Sequence, residues 1–251
     1  MCLIAVAYRA AARYPLIVAA NRDESHARPT APAAWWPDAP DVLGGRDLTA
    51  GGTWLAIDRA GRFAAVTNLR EPEPSVTATR RSRGLLVTDF LTGALPASAF
   101  ARAAFQDGAR FGPFNMLLLD AASFHYTSNR AAPRALDPGL HVLGNGKPGT
   151  EWPKIARART RLAELLDERD PSEALFAMLA ERSAPVDGYD DAQVSLFQLN
   201  PAWGTRSSTV LLVDASGRAR FRERSFDAAG EPTGEVEVEF AVTPSRHRAA
   251  R

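Results

Sequence analysis

Short apolar runs separated by polar turns recur along the chain and predict a protein rich in β-strands. The first two runs, residues 3–8 and 15–20, flank a polar, basic connection and predict a β-hairpin. The same pattern predicts further strands at 53–57, 63–68, 114–119, 123–127, 140–143, 207–214, 218–226 and 235–240.

Helical periodicity appears in two places between these strands. Ser82 is predicted to cap a helix over residues 83–95, and a second helix is predicted at 96–105. A second helical pair is predicted at 151–170 and 171–183. The order of strands, helices, strands, helices and strands favours an α+β fold, a four-layer α-β-β-α sandwich of two antiparallel sheets.

The composition and the length of the chain favour a single-domain protein without a nucleic-acid partner or a membrane span. At 251 residues the chain predicts a single domain over 1–243, followed by a basic, disordered tail at 244–251. The 30 basic and 29 acidic residues give a net charge of +1, which predicts no nucleic-acid partner. No apolar run reaches the ~20 residues of a membrane span and no secretion leader is evident, so a cytoplasmic protein without an integral membrane span is expected.

Cysteine and histidine usage argues against disulfides and metals. A single cysteine excludes an internal disulfide, and four scattered histidines without metal-ligand spacing predict no metal site. If Cys2 has a function, it is as a thiol.

The predicted hairpin places the start of the chain beside the sequence NRDE, residues 21–24. With a turn centred near residues 11–12, antiparallel pairing sets Leu3 opposite about Ala20. Cys2 then lies alongside residues 21–23, at the same end of the same sheet.

Alternation along the strand divides the NRDE motif. Asn21 and Asp23 are expected on one face, where they address Cys2, and Arg22 and Glu24 on the other. Asparagine and aspartate also favour turns, and charge at a strand end is ordinary solvation, so a purely structural interpretation stays open.

The position of Cys2 offers a specific chemistry. An initiator methionine is ordinarily removed before a small residue, which would leave a thiol and an α-amine on one residue. An amine with a pKa near ~8 can serve as the base for a thiol with a pKa near ~8.5. The alternative is that cysteine stands second by chance.

Other polar residues near predicted strand ends complete the candidate set. Asn68 and Arg70 follow one strand, and Asn145 lies in a glycine-flanked turn, where amides can donate to an oxyanion or cap turns. Arg206 precedes a strong strand, where a cation can lower a thiol pKa. Arg46 adds a cation able to bind carboxylates or phosphates.

An ordered set of motifs resembles a known family. The chain contains Met-Cys, NRDE, LGGRDLTAGGTW, GRFAAVTNLREP, SRGLLVTDFL, LGNGKPGTEWPK and WGTRSSTVLL in that order. Together they resemble the NRDE family, which is related to the transport and Golgi organisation protein 2 homologues. The resemblance implies an N-terminal nucleophile hydrolase-like fold, distantly similar to choloylglycine hydrolase and penicillin V acylase.

The resemblance also implies roles for individual residues. Cys2 matches the nucleophile, and Asp23 matches the aspartate that orients it. Asn68 and Asn145 match asparagines near the oxyanion and the terminal amine, and Arg206 matches an arginine beside the thiol. The acylases carry an arginine immediately before the matching Asn-x-Asp, where this chain has Ala20.

Two functions follow as expectations. The first is a hydrolase that needs no cofactor and uses Cys2 to cleave an amide or thioester of a small acyl compound. The second is a non-catalytic trafficking protein that binds haem or acyl-CoA and lipid, with a scaffold role as a further alternative. The expected substrate-binding residues are Asn21, Arg22, Arg46 and Arg70.

Overall fold

The structure is a computed structural model that describes residues 2–71 and 80–243. Met1 and the predicted tail at 244–251 lie outside these residues. By internal contacts the chain divides into two compact units, the first formed by residues 2–28 and 138–240 and the second by the remaining described residues. The single domain over 1–243 stays a prediction.

Thirteen strands and five α-helices are defined in the described residues. The strands are β1 (Leu3–Tyr8), β2 (Leu16–Ser25), β3 (Thr30–Trp36), β4 (Ala39–Asp47), β5 (Leu55–Asp58), β6 (Phe63–Asn68), β7 (Phe114–Leu119), β8 (Phe124–Ser128), β9 (Arg134–Ala135), β10 (Gly139–Leu143), β11 (Trp203–Val213), β12 (Arg218–Phe226) and β13 (Pro232–Ala241). The helices are α1 (Gly84–Thr92), α2 (Ala97–Gln106), α3 (Pro153–Glu164), α4 (Ser172–Leu179) and α5 (Asp191–Val194).

The first unit is a six-stranded sheet with helices on one face. The strand order is β10-β1-β2-β11-β12-β13, and α3 and α4 pack on β10, β1, β2 and β11. Alternate residues of β1 and β2 face these helices, and the shared core includes Leu3, Ala5, Ala7, Ile17, Ala19, Leu162, Leu175, Leu179, Val210 and Leu212. Every residue of β1 is buried, which explains why its sequence is a continuous apolar run instead of an alternating one.

The register of the first hairpin differs from the predicted one by one residue. Leu3 pairs with Asn21, not Ala20, and β2 continues through the NRDE motif to Ser25. A shift of one position exchanges the faces of a strand. Cys2 precedes the first paired residue of β1, so the register does not fix its face, and the prediction that Asn21 and Asp23 address Cys2 stays a prediction.

The second unit is a seven-stranded sheet with α1 and α2 on one face. Its order is β3-β4-β5-β6-β7-β8-β9, and each strand pairs antiparallel with its neighbours in this order. Its core is formed by residues of both helices and the central strands, including Val42, Ala56, Ala64, Val66, Val87, Phe90, Ala101, Phe114 and Met116. The two antiparallel sheets, each carrying helices, confirm the predicted α+β class.

Strands β3 and β4 were absent from the prediction. Their sequences contain Pro32, Gly44 and Gly45, residue types that are depleted in strands. β3 lies at the edge of its sheet, where proline is tolerated. At Gly44 a Cβ would lie 2.7 Å from the carbonyl oxygen of Leu55, so close strand packing requires glycine there.

Two details concern the helices. The residue that caps α1 is Arg83, with no side-chain capping hydrogen bond, so the prediction of Ser82 as the cap is wrong. The longest helix of the described residues has 12 residues, and none has the length and apolar character needed to cross a bilayer.

Candidate active site

Cys2 lies at the end of the first unit's sheet, immediately before β1. It is 9% exposed, and its Sγ donates a weak hydrogen bond to the backbone oxygen of Asp23 at 3.8 Å. Burial raises the pKa of the thiol, and the negative charge of Asp23 acts in the same direction, whereas the positive charge of Arg22 lowers it. The cysteine therefore rests in surroundings that favour the protonated thiol.

The side chain of Asp23 is fixed by the neighbouring strand. It is buried, and its Oδ1 accepts a hydrogen bond of 2.7 Å from the hydroxyl of Thr205, its register partner on β11. The hydroxyl oxygen of Thr205 in turn accepts the backbone N–H of Gln198 at 2.8 Å. Burial raises the pKa of the Asp23 carboxyl, while the charge of Lys154 and the Thr205 hydrogen bond lower it.

Asn21 occupies the same strand face as Asp23 but has structural partners. Its Nδ2 donates to the carbonyl oxygens of Leu179 at 2.8 Å and Leu196 at 2.9 Å, and its Oδ1 accepts the hydroxyl of Ser208 at 2.6 Å. Both amide hydrogens are thus used to attach β2 to the end of α4 and to the segment after α5. This geometry favours a structural role over the substrate-binding role expected from sequence.

Arg22 and Glu24 lie on the opposite strand face from Asn21 and Asp23, as alternation predicts. Arg22 is buried, and its Nη2 lies 3.7 Å from Oε2 of Glu24, which also lies 3.9 Å from Nε of Arg28. The predicted substrate-binding role of Arg22 stays a prediction.

Arg206 sits at an irregularity of β11. The pairing of β11 with β2 shifts between Thr205 and Ser207, which marks a β-bulge at Arg206. Its Nη1 donates to the carbonyl oxygens of Ser25, His26 and Arg28, and so stabilises the turn that follows β2. Its predicted role beside the thiol stays a prediction.

Asn145 lies two residues after the end of β10, the strand that pairs with β1. The pairing of β10 with β1 ends at Leu143, which lies opposite Ile4. Asn145 is 2% exposed. Its predicted role near the oxyanion or the terminal amine stays a prediction.

The remaining predicted residues belong to the second unit. Asn68 and Arg70 are exposed at and just after the end of β6. Arg46 forms a two-pronged ion pair with Asp38, its Nε donates to the carbonyl oxygen of Gly51, and its guanidinium stacks 4.3 Å from the ring centre of Trp36. The binding and catalytic roles of these residues stay predictions.

Sequence reasoning missed Thr205 and Lys154. Thr205 lies one residue before a predicted site residue, and only the pairing of β11 with β2 shows its contact with Asp23. Lys154 is a fully buried lysine that begins the apolar stripe of α3 with Ile155, Ala158 and Leu162. A lysine on the apolar stripe of a helix was the available signal.

No three His, Cys, Asp or Glu side chains in the described ranges 2–71 and 80–243 are arranged to hold a metal ion. The fold and the site define a class: an α+β protein of two antiparallel sheets, with a buried cysteine just before the first strand of one sheet, hydrogen-bonded to the backbone of a buried aspartate. The chain belongs to the Transport and Golgi organisation 2 family, whose model matches residues 1–228. The resemblance drawn from the sequence motifs is thereby confirmed.

The relatives cover most of the chain. The human Transport and Golgi organization protein 2 homolog is 32% identical over 241 residues, which are 84% of this chain and 87% of the relative. The Bos taurus homolog is 33% identical over 253 residues, covering 88% and 89% of the two chains. Among solved structures, a mutant conjugated bile acid hydrolase from Clostridium perfringens matches with a TM-score of 0.49 at 10% identity, over 98% of each chain.

Proposed function

We propose that this protein is a hydrolase of the N-terminal nucleophile type, in which Cys2 cleaves an amide or thioester bond of a small acyl compound. The observation that carries the proposal is the placement of Cys2. The only cysteine of the chain lies at a sheet end, bonded to the backbone of Asp23, whose carboxylate is held in place by Thr205. A thiol whose proton can be taken by the amine of the same residue, with a fixed carboxylate on the neighbouring strand to orient that amine, is an arrangement suited to nucleophilic catalysis.

The proposed reaction begins with removal of Met1, which frees the α-amine of Cys2. That amine accepts the thiol proton, and the thiolate attacks the acyl carbon to form a tetrahedral oxyanion that Asn145 stabilises. The protonated amine then gives its proton to the departing nitrogen or sulfur, and the acyl group remains on Sγ as a thioester. Water, deprotonated by the same amine, releases the acid and restores the thiol.

Asp23 has an orienting role in this scheme. Its carboxylate is fixed at Oδ1 by Thr205, one strand away from the start of the chain. A fixed buried carboxylate stabilises a neighbouring ammonium, which is the charge that the α-amine acquires when it takes the thiol proton.

Two measurements test the proposal. Intact mass of the purified protein shows whether Met1 is removed, and we expect the mass of a chain beginning at Cys2. Incubation with a panel of acyl amides and acyl thioesters is then expected to give an acyl adduct on Cys2 and release of acid, both lost in Cys2→Ala.

The carrier alternative gives a different pattern in the same experiments. Retained Met1 with no adduct and no turnover would contradict the hydrolase. Saturable binding of haem or acyl-CoA that Cys2→Ala abolishes would then support the carrier.

A further inference from the structure

A threonine, and not an arginine, lies opposite Asp23 because β11 has one extra residue at this point. Ser207 pairs with Arg22, the residue before Asp23. In a regular antiparallel ladder the next residue to pair would be Arg206. The register shifts here, and Thr205 lies opposite Asp23 instead. A β-bulge redirects side chains in this way, and bulges are common next to active sites.

The bulge gives the two neighbouring side chains different partners. Nη1 of Arg206 donates to three carbonyl oxygens of the turn after β2, at 2.9–3.2 Å. The hydroxyl of Thr205 donates to Oδ1 of Asp23 at 2.7 Å. Across the strands the carboxylate therefore has a neutral donor at the position where a regular ladder would place a cation.

The direction of the Thr205 hydroxyl is set by the backbone of another segment. The backbone N–H of Gln198 can only donate, and it donates to the Thr205 oxygen at 2.8 Å. A hydroxyl has a single proton, which here is directed to Asp23. Oδ1 of Asp23 therefore accepts in both protonation states of the carboxyl, and a proton taken up by the carboxyl is carried by Oδ2.

The segment that carries this N–H is itself fixed by hydrogen bonds. The backbone N–H of Thr205 donates back to the carbonyl oxygen of Gln198 at 2.9 Å, so two bonds of opposite direction join these residues. Nε2 of Gln198 donates to the carbonyl oxygen of Ser195 at 2.8 Å. All three residues are buried, so water does not compete for these groups.

A hydroxyl holds the carboxylate in place without neutralising it. In the proposed reaction the α-amine of Cys2 becomes an ammonium, which a nearby carboxylate stabilises. An arginine opposite Asp23 would pair with that carboxylate and repel the ammonium. Burial raises the pKa of the Asp23 carboxyl, and the charge of Lys154 and the Thr205 hydrogen bond oppose this rise. Nζ of Lys154 makes no hydrogen bond with the residues that the structure describes.

We propose that Thr205 is a positioning residue of the candidate active site, whose hydroxyl, aimed by Gln198, fixes the Asp23 carboxylate and leaves its charge available to the α-amine of Cys2. The proposal deepens the hydrolase function and rests on it for its catalytic meaning. Thr205 acts through Asp23 and transfers no proton, because its hydroxyl keeps the same donor and acceptor in every step.

The first experiment titrates Asp23 directly. In protein labelled with ¹³C-aspartate, the Asp23 carboxyl resonance is identified by its absence in Asp23→Asn or Asp23→Glu and followed against pH by NMR. In Thr205→Val, which removes the hydroxyl and keeps the shape, we expect the midpoint to rise by about one pH unit, because the charged carboxylate loses a donor. Thr205→Ser keeps the hydroxyl and should leave the midpoint within about 0.3 pH unit of the wild type.

Thr209→Val is the matched control for this titration. Thr209 lies on the same strand and is equally buried, but its hydroxyl points to Glu223 at 3.5 Å. Its replacement should not move the Asp23 midpoint. An unchanged midpoint in Thr205→Val, or an equal rise in Thr209→Val, would overturn the proposal. If Thr205→Val does not fold, Thr205→Ala takes its place with the same expected rise.

The second experiment measures turnover of the acyl amide or thioester that the wild type hydrolyses fastest. We expect Thr205→Val to lower kcat about tenfold with little change in KM, because the carboxylate is displaced while substrate binding is retained. Thr205→Ser should recover most of the loss. An equal loss in Thr205→Ser would assign the effect to packing of the methyl group and refute the role of the hydroxyl.

The two experiments separate the proposal from the function on which it rests. The titration requires no turnover. If the midpoint rises in Thr205→Val and no acyl substrate is hydrolysed by the wild type, the proposed function fails and the hold of Thr205 on Asp23 stands. If the wild type hydrolyses substrate and the midpoint does not move, the function stands and the positioning role fails.

Discussion

Replacing Asn21 by alanine is expected to destabilise the protein far more than an average buried substitution. The side chain joins three separate segments: the last carbonyl of α4 at Leu179, the carbonyl of Leu196 and the hydroxyl of Ser208 on β11. The Leu179 oxygen is one of the final helix carbonyls that have no partner within the helix. All of these atoms are buried, so water cannot replace the lost amide without rearrangement.

The magnitude follows from the three hydrogen bonds. Each contributes about 1 kcal/mol net, and leaving a buried partner unsatisfied costs about 1–3 kcal/mol. With partial relaxation, Asn21→Ala should cost about 3–5 kcal/mol. For a chain of this length that corresponds to a fall in Tm of about 6–10 °C.

The assay is urea unfolding and thermal melting, followed by circular dichroism. Ser208→Ala removes one of the three bonds and is the matched control, with an expected cost of about 1 kcal/mol. A melting temperature for Asn21→Ala within about 2 °C of the wild type would refute the structural assignment of Asn21. The residue would then be available for the substrate-binding role expected from sequence.

Three further outcomes are expected. Gly52→Ala should cost at least about 2 kcal/mol in urea unfolding, because its Cβ would lie 2.6 Å from a backbone atom of the second unit. Gly51→Ala, at φ +76° and with open space around it, should cost only about 1–2 kcal/mol. Equal costs for the two variants would contradict the steric explanation for Gly52. Burial raises the pKa of Asp58 to about 6 from 3.8, so the folded state holds this proton more tightly than the unfolded state does. The free energy of unfolding of the wild type should therefore fall by up to about 3 kcal/mol between pH 4 and 6. In urea titrations Asp58→Asn should reduce this dependence on pH, and an unchanged dependence would exclude Asp58 as its cause. Glu235→Gln removes one of three acidic partners of Arg222 and one partner of Arg224, and should cost under about 1 kcal/mol, with the difference vanishing at 1 M salt. A cost that persists in salt would show that these are not surface ion pairs.

The strands that could be predicted are those whose buried residues form a continuous apolar run in the local sequence. β6 and β7 have the predicted bounds, because each is an apolar run that ends at polar residues. β3 and β4 could not be predicted, because their proline and glycines satisfy an edge position and a close strand contact that only the folded sheet shows.

Only the part of the candidate site that lies within one local segment of the sequence could be predicted. Cys2 and Asp23 were placed at one sheet end from the first hairpin, but its register was missed by one residue. In the connection between the two strands, Arg9 has a φ of 48° and its backbone N–H donates a hydrogen bond to the carbonyl oxygen of Pro15. A positive φ is usually indicated in a sequence by glycine, and because arginine stands here the turn geometry could not be predicted. Thr205 and Lys154 join the site from segments more than 130 residues away, a distance over which periodicity carries no information.

Because the residues within 21–24 have different roles, inherited or engineered variants at these positions should be interpreted separately. Asn21 joins two segments to the sheet, while Asp23, two positions on, accepts a hydrogen bond from Thr205 at its carboxylate and one from the Cys2 thiol at its backbone oxygen. Substitutions at the two positions can produce the same loss of function in a cell for opposite reasons, one by reducing the amount of folded protein and the other by reducing the activity of each molecule. A mutational scan of this motif that records function alone would merge the two, whereas abundance measured in parallel would separate them.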